Sequence, residues 1–392
     1  MSRFARSGVV FGKEILEHSR DRRALFSVLW SSLIGPLLIG FLFYQIARDR
    51  RAADDIEIPV AGRQHAPHLM KWLGEQAGVT IVDGPADPEE AVQSGDFDFA
   101  LVVDEAFGKR FEQSRPATVK LYYDDARTRA RPKVDRIRGL ISGYSQQMGD
   151  LRLVARGISP QVSRPIQLQS LELSSAQRRA SRVLSFVPLM LLIAAFAAGI
   201  SPSVDATAGE RERGSLEPLL INPVSTLAVA AGKWMAASVF AAVSLSVSLM
   251  LILGLLAKLP LGDLGVYFRL EPWQVSGLLA AALPVALLAP AFQMLVACYA
   301  RSFKEAQAYL GYVMMIPMLP TFVMMGTGVE HSPWMNFVPI VAQTQLIQSF
   351  LAAEMPAGWE LAVSGAVALA LSLLCVYGVA SLLRREKIVF GR

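Results

Sequence analysis

Four histidines, His18, His65, His68 and His331, and two cysteines, Cys298 and Cys375, bound what this chain can do as an acid, a base, a nucleophile or a metal ligand. No His-Glu-x-x-His run occurs, so a zinc-protease helix is not expected. Pro67 lies between His65 and His68 and opens a helix after His65, which makes the two rings surface residues at a helix start rather than a metal pair. Both cysteines fall inside apolar runs, where they pack and build no disulfide framework. The run from Gly8 to Lys13 has the look of a phosphate loop, but its glycines are one residue too close. Glu14 also stands where a Ser or Thr would hold magnesium. The chain is therefore expected to carry no catalytic residue, no metal and no cofactor of its own.

The chemistry that remains is that of docking, and it is concentrated between Gly209 and Pro223. Glu210, Arg211, Glu212 and Arg213 form a charged block, and Gly214 follows. Ser215 is placed to cap a helix, Glu217 sits in its first turn where the dipole favours a carboxylate, and Pro218 is early enough to need no intrahelical partner. Asn222-Pro223 ends it. Leu216, Leu219, Leu220 and Ile221 are left on a helix of roughly two turns, far short of the ~20 residues that span a bilayer, so they require a partner surface.

The elements that hold this segment are membrane spans. The 392-residue chain is 53% hydrophobic, with mean hydropathy +0.39 and 18% charged residues, many of them crowded into one interval. That composition marks an integral membrane protein. Its net charge of +5 lies largely at span ends, as topology requires, and nucleic acid is not an expected partner. The reading is a polytopic α-helical membrane protein of six transmembrane helices with an α/β extracytoplasmic domain inserted between the first and second spans.

In chain order, residues 1–23 form an interfacial helix with Phe4, Val9, Val10, Ile15 and Leu16 among charges. Residues 24–47 form the first span, an uncleaved anchor. Residues 48–181 form the α/β domain. Its expected strands are Ile56–Val60, Thr80–Val82, Phe97–Val103 and Thr118–Tyr123, its helices Pro67–Ala77, Pro88–Gln93 and Ala130–Gly157, and Ile166–Leu173 alternates as a further strand. Residues 182–392 contain the remaining spans, Val183–Ile200, Leu227–Leu256, Val275–Ala300, Tyr309–Gly328 and Trp359–Leu383. Lys233 and Trp234 suit the headgroup level at the foot of the third. The interrupted stretch 329–357 reads as a re-entrant segment, because its amides are tolerated at membrane depth only where protein or water satisfies them.

Arg211, Arg213, Arg301, Lys304 and the basic carboxyl terminus fall on one side, while the loop from 329 to 358 carries Glu330 and Glu354 without Lys or Arg. Both termini are therefore expected in the cytoplasm. Arg178, Arg179 and Arg182 depart from that rule on the outer side, where they suit lipid phosphates or an anionic cargo.

The segment 209–225, placed between the second and third spans, resembles the cytoplasmic coupling helix of ABC-2 type permeases, the membrane subunits of ATP-binding-cassette exporters. The sodium-efflux-type branch, with its large extracellular insert, fits in particular. The likeness continues through the strands Asp98–Val103 and Leu121–Asp124 and the long helix after them. It implies a bacterial inner-membrane, multi-pass subunit that pairs with an ABC ATPase subunit and with a second permease copy or paralogous chain, in contact with membrane lipid. ATP and Mg would be bound by the partner, since no Walker lysine loop occurs here. The residues implied to couple to the ATPase are Glu210, Arg211, Glu212, Arg213, Gly214, Ser215, Leu216, Glu217, Pro218, Leu219 and Leu220.

For the cargo, the span cores contain no Asp or Glu, which argues against a simple cation path. Met314, Met318 and Met325 with Gln343 and Gln345 suit an amphipathic, lipid-like or drug-like substrate. The alternatives are a sodium-ion exporter permease and a non-transporting membrane sensor whose outer domain binds a ligand.

Overall fold

A computed structural model describes residues 3–127, 130–163, 166, 184–215, 218, 224–258, 271–327 and 332–385. The chain divides into two compact units, residues 1–41 with 173–392, and residues 42–172. Among the described residues, six helices are long and apolar enough to cross a membrane.

Helix α1 spans Arg3–Arg20 and α2 spans Arg22–Asp54. The apolar stretch of α2 is Leu25–Gln45, so its last turns continue beyond the bilayer-matching length. Gly35 and Gly40 are positions of close approach on α2. A β-carbon at Gly35 would lie 2.9 Å from Met190, and one at Gly40 would lie 3.2 Å from Leu255.

The second unit begins with β1 at Ile56–Ala61, followed by α3 at Pro67–Gly74, β2 at Val79–Asp83, α4 at Pro88–Ser94 and β3 at Phe99–Val103. Then come α5 at Phe107–Glu112, β4 at Val119–Tyr123 and α6 at Ala130–Ala155. The sheet order is β2-β1-β3-β4, with β4 antiparallel to β3 and the other pairs parallel. Pairing of β1 with β3 starts at Val60, one residue beyond Pro59, which has no N–H to give. Ile56, Ile58, Phe99 and Leu101 pack with Leu69, Leu73, Val134 and Ile137 into one core. The expected strands and helices stand within a few residues of their observed ends. The short α5 was not expected, and the strand expected at Ile166–Leu173 lies outside the described residues except for Ile166.

The first unit resumes with α7 at Val187–Val204, which runs without a break through a π turn at Asp205–Gly209 into Glu210–Glu212. Next are α8 at Thr226–Leu256, capped by the Ser225 hydroxyl, and α9 at Pro272–Ala297 with Pro284 and Pro290 inside it. The fifth span is broken as its prolines suggest: α10 at Phe303–Val313, a 3-10 turn at Ile316–Met318 and α11 at Leu319–Thr327. A 3-10 turn at Pro333–Phe337 leads to α12 at Val341–Leu351, and α13 at Gly358–Leu382 is the last span. Helix α12 is roughly 16 Å long by its residue count, too short to cross.

Within this bundle the polar side chains point inward and join helices. Ser31 and Ser32 of α2 meet Ser244 of α8 at 2.9 and 3.0 Å. The Gln293 amide donates to the Phe196 carbonyl at 2.7 Å, and Trp234 to that of Leu287 at 2.8 Å. Such bonds hold spans together where apolar association supplies no net drive.

Helix α1 buries Val10, Glu14 and His18 against the foot of α8, while Val9 and Leu16 are exposed. The fit is close, since a β-carbon at Gly232 would lie 2.7 Å from Val10. Lys233 is 1% exposed.

Candidate coupling site

The site begins where the second span ends. Gly214 has φ +66°, a left-handed conformation that glycine adopts without a β-carbon penalty. The Ser215 N–H donates to the Glu210 carbonyl at 3.0 Å and the Gly214 N–H to that of Arg211 at 3.1 Å. Those two bonds form a Schellman stop. The Ser215 hydroxyl also turns back, donating to the Glu210 carbonyl at 3.2 Å, so it closes the helix behind it. Residues 216–217 and 219–223, including Leu216, Glu217, Leu219 and Leu220, lie outside the described residues.

The charged block is a set of fasteners, each aimed at a different element. Glu210 is 4% exposed, and its Oε1 lies 2.6 Å from the Lys233 ammonium on α8 and 3.2 Å from that of Lys13 on α1. Arg211 donates to the Cys298 carbonyl at the end of α9 at 3.3 Å, where the helix dipole favours a cation. The Glu212 carboxylate accepts the Phe303 N–H at 2.6 Å, taking a donor that the first turn of α10 leaves over. Arg213 folds back to Asp205 on the π turn at 2.8 Å. Glu212, Arg213, Gly214, Ser215 and Pro218 are exposed, and Arg211 is half-buried.

Behind Glu210 the charges close into a ring. Lys233 also reaches Glu14 at 3.0 Å, and Lys13 touches Glu14 at 3.2 Å and Glu17 at 3.0 Å. Burial alone would push the Glu14 carboxyl up, but the Lys233 and Lys13 ammonium groups outweigh it and hold the carboxyl below its usual range. Burial would lower the Lys13 ammonium, yet the Glu17 hydrogen bond with the Glu14 and Glu210 charges raises it. His18 closes one side, with its Nε2 3.7 Å from Glu14 and its ring edge-on to Phe240.

Beside the π turn, an open groove of about 740 Å³ is lined by Asp21, Ile200, Asp205, Arg213, Phe303 and Gln307 among others. A π turn is an uncommon interruption, frequent at functional positions. Here it redirects the last turn of the second span, and the Thr207 hydroxyl occupies the Ser203 carbonyl at 2.7 Å.

The residues expected along a substrate path are spread over neighbouring elements. Met314 and Met318 are half-buried near the break in the fifth span, and the turn carrying Met318 packs on α7. Met325 lies in α11, and nothing of its side chain is described. Gln343 is engaged locally, accepting the Ile340 N–H at 2.5 Å and donating to the Ser364 carbonyl at 3.3 Å. Gln345 donates to the Met335 sulfur at 2.6 Å and keeps Oε1 buried without a partner among the described residues.

Sequence reasoning missed Glu14 and Lys233 as site residues. The available signal was a single lysine inside a 31-residue apolar helix and a carboxylate one turn from Val10 on an amphipathic one.

Comparison with known proteins gives this arrangement its class. The family described as ABC-2 family transporter protein matches residues 26–383. The chain is also similar to the ABC transporter permease protein NatB of Bacillus subtilis (strain 168), at 26% identity over 380 residues, which is 96% of this chain and 97% of that one. With the family match running from the first span to the last, this multi-pass membrane protein belongs to the ABC-2 family, as a permease subunit of an ABC transporter.

Proposed function

We propose that the chain is the translocating subunit of an ATP-driven exporter in which a separate ABC ATPase, holding ATP and Mg, grips the segment 209–225. The observation that carries this reading is the fastening of Glu210, Arg211 and Glu212 to α1 and α8, to the end of α9 and to the start of α10. A push on the exposed segment just beyond them is delivered to several spans at once, which is what alternating access by physical contact demands. Arg211, Arg213, Arg301 and Lys304 support a cytoplasmic position for this end, and with it cytoplasmic termini and an extracytoplasmic α/β domain. A second copy or a paralogous chain completes the path, with lipid around it.

The cargo we favour is amphipathic. Among the described residues, the buried carboxylates of the first unit, Glu14 and Glu210, are engaged by lysines at the foot of the bundle, and the spans otherwise bury neutral polar groups. A sodium path is the second reading, favoured by the buried amide oxygens of Gln293, Asn336 and Gln345 that have no partner among the described residues.

The test is Leu219→Asp or Glu217→Arg in the reconstituted complex with its ATPase. Transport is expected to be lost with membrane insertion intact and ATPase activity uncoupled. Unchanged transport contradicts the reading, and counterflow of sodium against a lipid-like dye separates the two cargoes.

A further inference from the structure

Lys13 and Lys233 each touch both Glu14 and Glu210, at 3.2 and 3.2 Å for Lys13 and at 3.0 and 2.6 Å for Lys233. The side chains of Lys233, Glu14 and Glu210 are 1%, 2% and 6% exposed. Pulling such charges apart leaves them buried and unpaired, which is far more costly than separating an exposed pair. The other seam of the same helix end is built differently. Glu212 is exposed where it meets the Phe303 N–H, and water can replace that bond at little cost, while Arg213 and Asp205, 50% and 25% exposed, pair within this helix end and do not cross to α10. The groove of about 740 Å³ lies on this second side.

We infer that Lys233 is a positioning residue that locks α1, the foot of α8 and the end of α7 into one moving block, so that the transport cycle opens at the seam between Glu212 and α10. This rests on the coupling reading for the source of the push, but the lock belongs to the permease alone. It assigns α1 a part in transmission: the N-terminal helix travels with the second span because the buried Lys233 and the half-exposed Lys13 hold Glu14 and Glu210 together. It also makes the groove between the π turn and α10 the place that widens and narrows.

The test uses the full permease with its ATPase, with spin labels at Leu16, Leu227 and Ala308, all exposed. Between the nucleotide-free and ATP-bound states, the distance from Leu16 on α1 to Leu227 on α8 is expected to stay fixed, while that from Leu227 to Ala308 on α10 changes. A change across the first pair as large as that across the second overturns the proposal. Lys233→Met leaves the buried Glu14 and Glu210 with the half-exposed Lys13 alone of the two lysines and is expected to destabilise the protein. The variant E14Q/K233M/E210Q therefore removes the ring without stranding a charge. It is expected to insert and retain the ATPase while transport per ATP falls about tenfold, the scale of a lost coupling energy, whereas K233R alone, with both carboxylates kept, is expected to retain most of it. Wild-type transport per ATP in the neutral variant overturns the lock. Without any ATPase, hydrogen exchange of the α1 amides is expected to rise about tenfold or more in the neutral variant. Unchanged exchange overturns the lock as well, whereas failure of the wild type to bind an ATPase counts against the coupling reading alone.

Discussion

In the α/β domain the ion pairs stay at the surface: Arg63–Asp83 and Arg131–Asp125 span 3.0 and 3.1 Å with every partner more than half exposed, and Arg127–Asp124 and Lys133–Asp98 are partly exposed, over a core of aliphatic and aromatic side chains. In the span bundle the arrangement is inverted. Leu29, Phe41, Met250 and Leu374 face outward, and a ring of lysines and glutamates sits inside at one end. Both follow from the solvent. A water-soluble domain hides its apolar groups and leaves charges hydrated, while a bundle in lipid gains nothing by hiding leucine and uses polar contacts to choose which helices stay together. Charge on the domain is surface, and charge in the bundle is connection.

The sharpest way to break this comparison is to remove one charge from each region. Lys233→Met takes the buried ammonium from Glu14 and Glu210, leaving them the half-exposed Lys13, and is expected to cost about 3 kcal/mol, read as loss of folded protein in a thermal scan of the purified permease. A smaller effect is expected from pH. The Glu14 carboxyl lies lower when folded than when unfolded, so its contribution is complete above the unfolded value and is lost as pH falls through the folded one. Protection of the α1 amides, their exchange measured against the intrinsic rate at each pH, should accordingly hold constant from neutral pH down to the ordinary carboxylate range and fall progressively below it. Loss of protection as pH rises from that range towards neutral would contradict the assignment. Least is expected of Arg131→Ala on the domain, under about 0.5 kcal/mol. An Arg131 variant as damaging as the Lys233 one would erase the distinction.

Much of the frame was legible because it rests on local pattern. Four strand positions, the long helix ending at Gly157 and the six spans follow from alternation, glycine and proline placement and apolar length. The ring was not legible because its members are far apart: Lys233 and Glu14 are separated by 219 positions. Hydropathy registers each as an isolated charge and carries no information on its partner. The stop at Gly214 was available in principle, as a glycine after a charged last turn, but attention to Ser215 as the start of the next helix hid its role in ending the previous one. The block from Glu210 to Arg213 was read as a handle for a partner. Its first residue is enclosed by this chain, and the surface on offer begins further along.

The central claim is that the end of the second span and the segment after it face the cytoplasm and the ATPase. It is tested most directly by labelling Ser215→Cys with a membrane-impermeant maleimide, against Leu151→Cys on the α/β domain. The account predicts that Ser215→Cys reacts only in inverted vesicles and is shielded when the ATPase is bound, while Leu151→Cys reacts on intact cells. Reaction of Ser215→Cys on intact cells would contradict it.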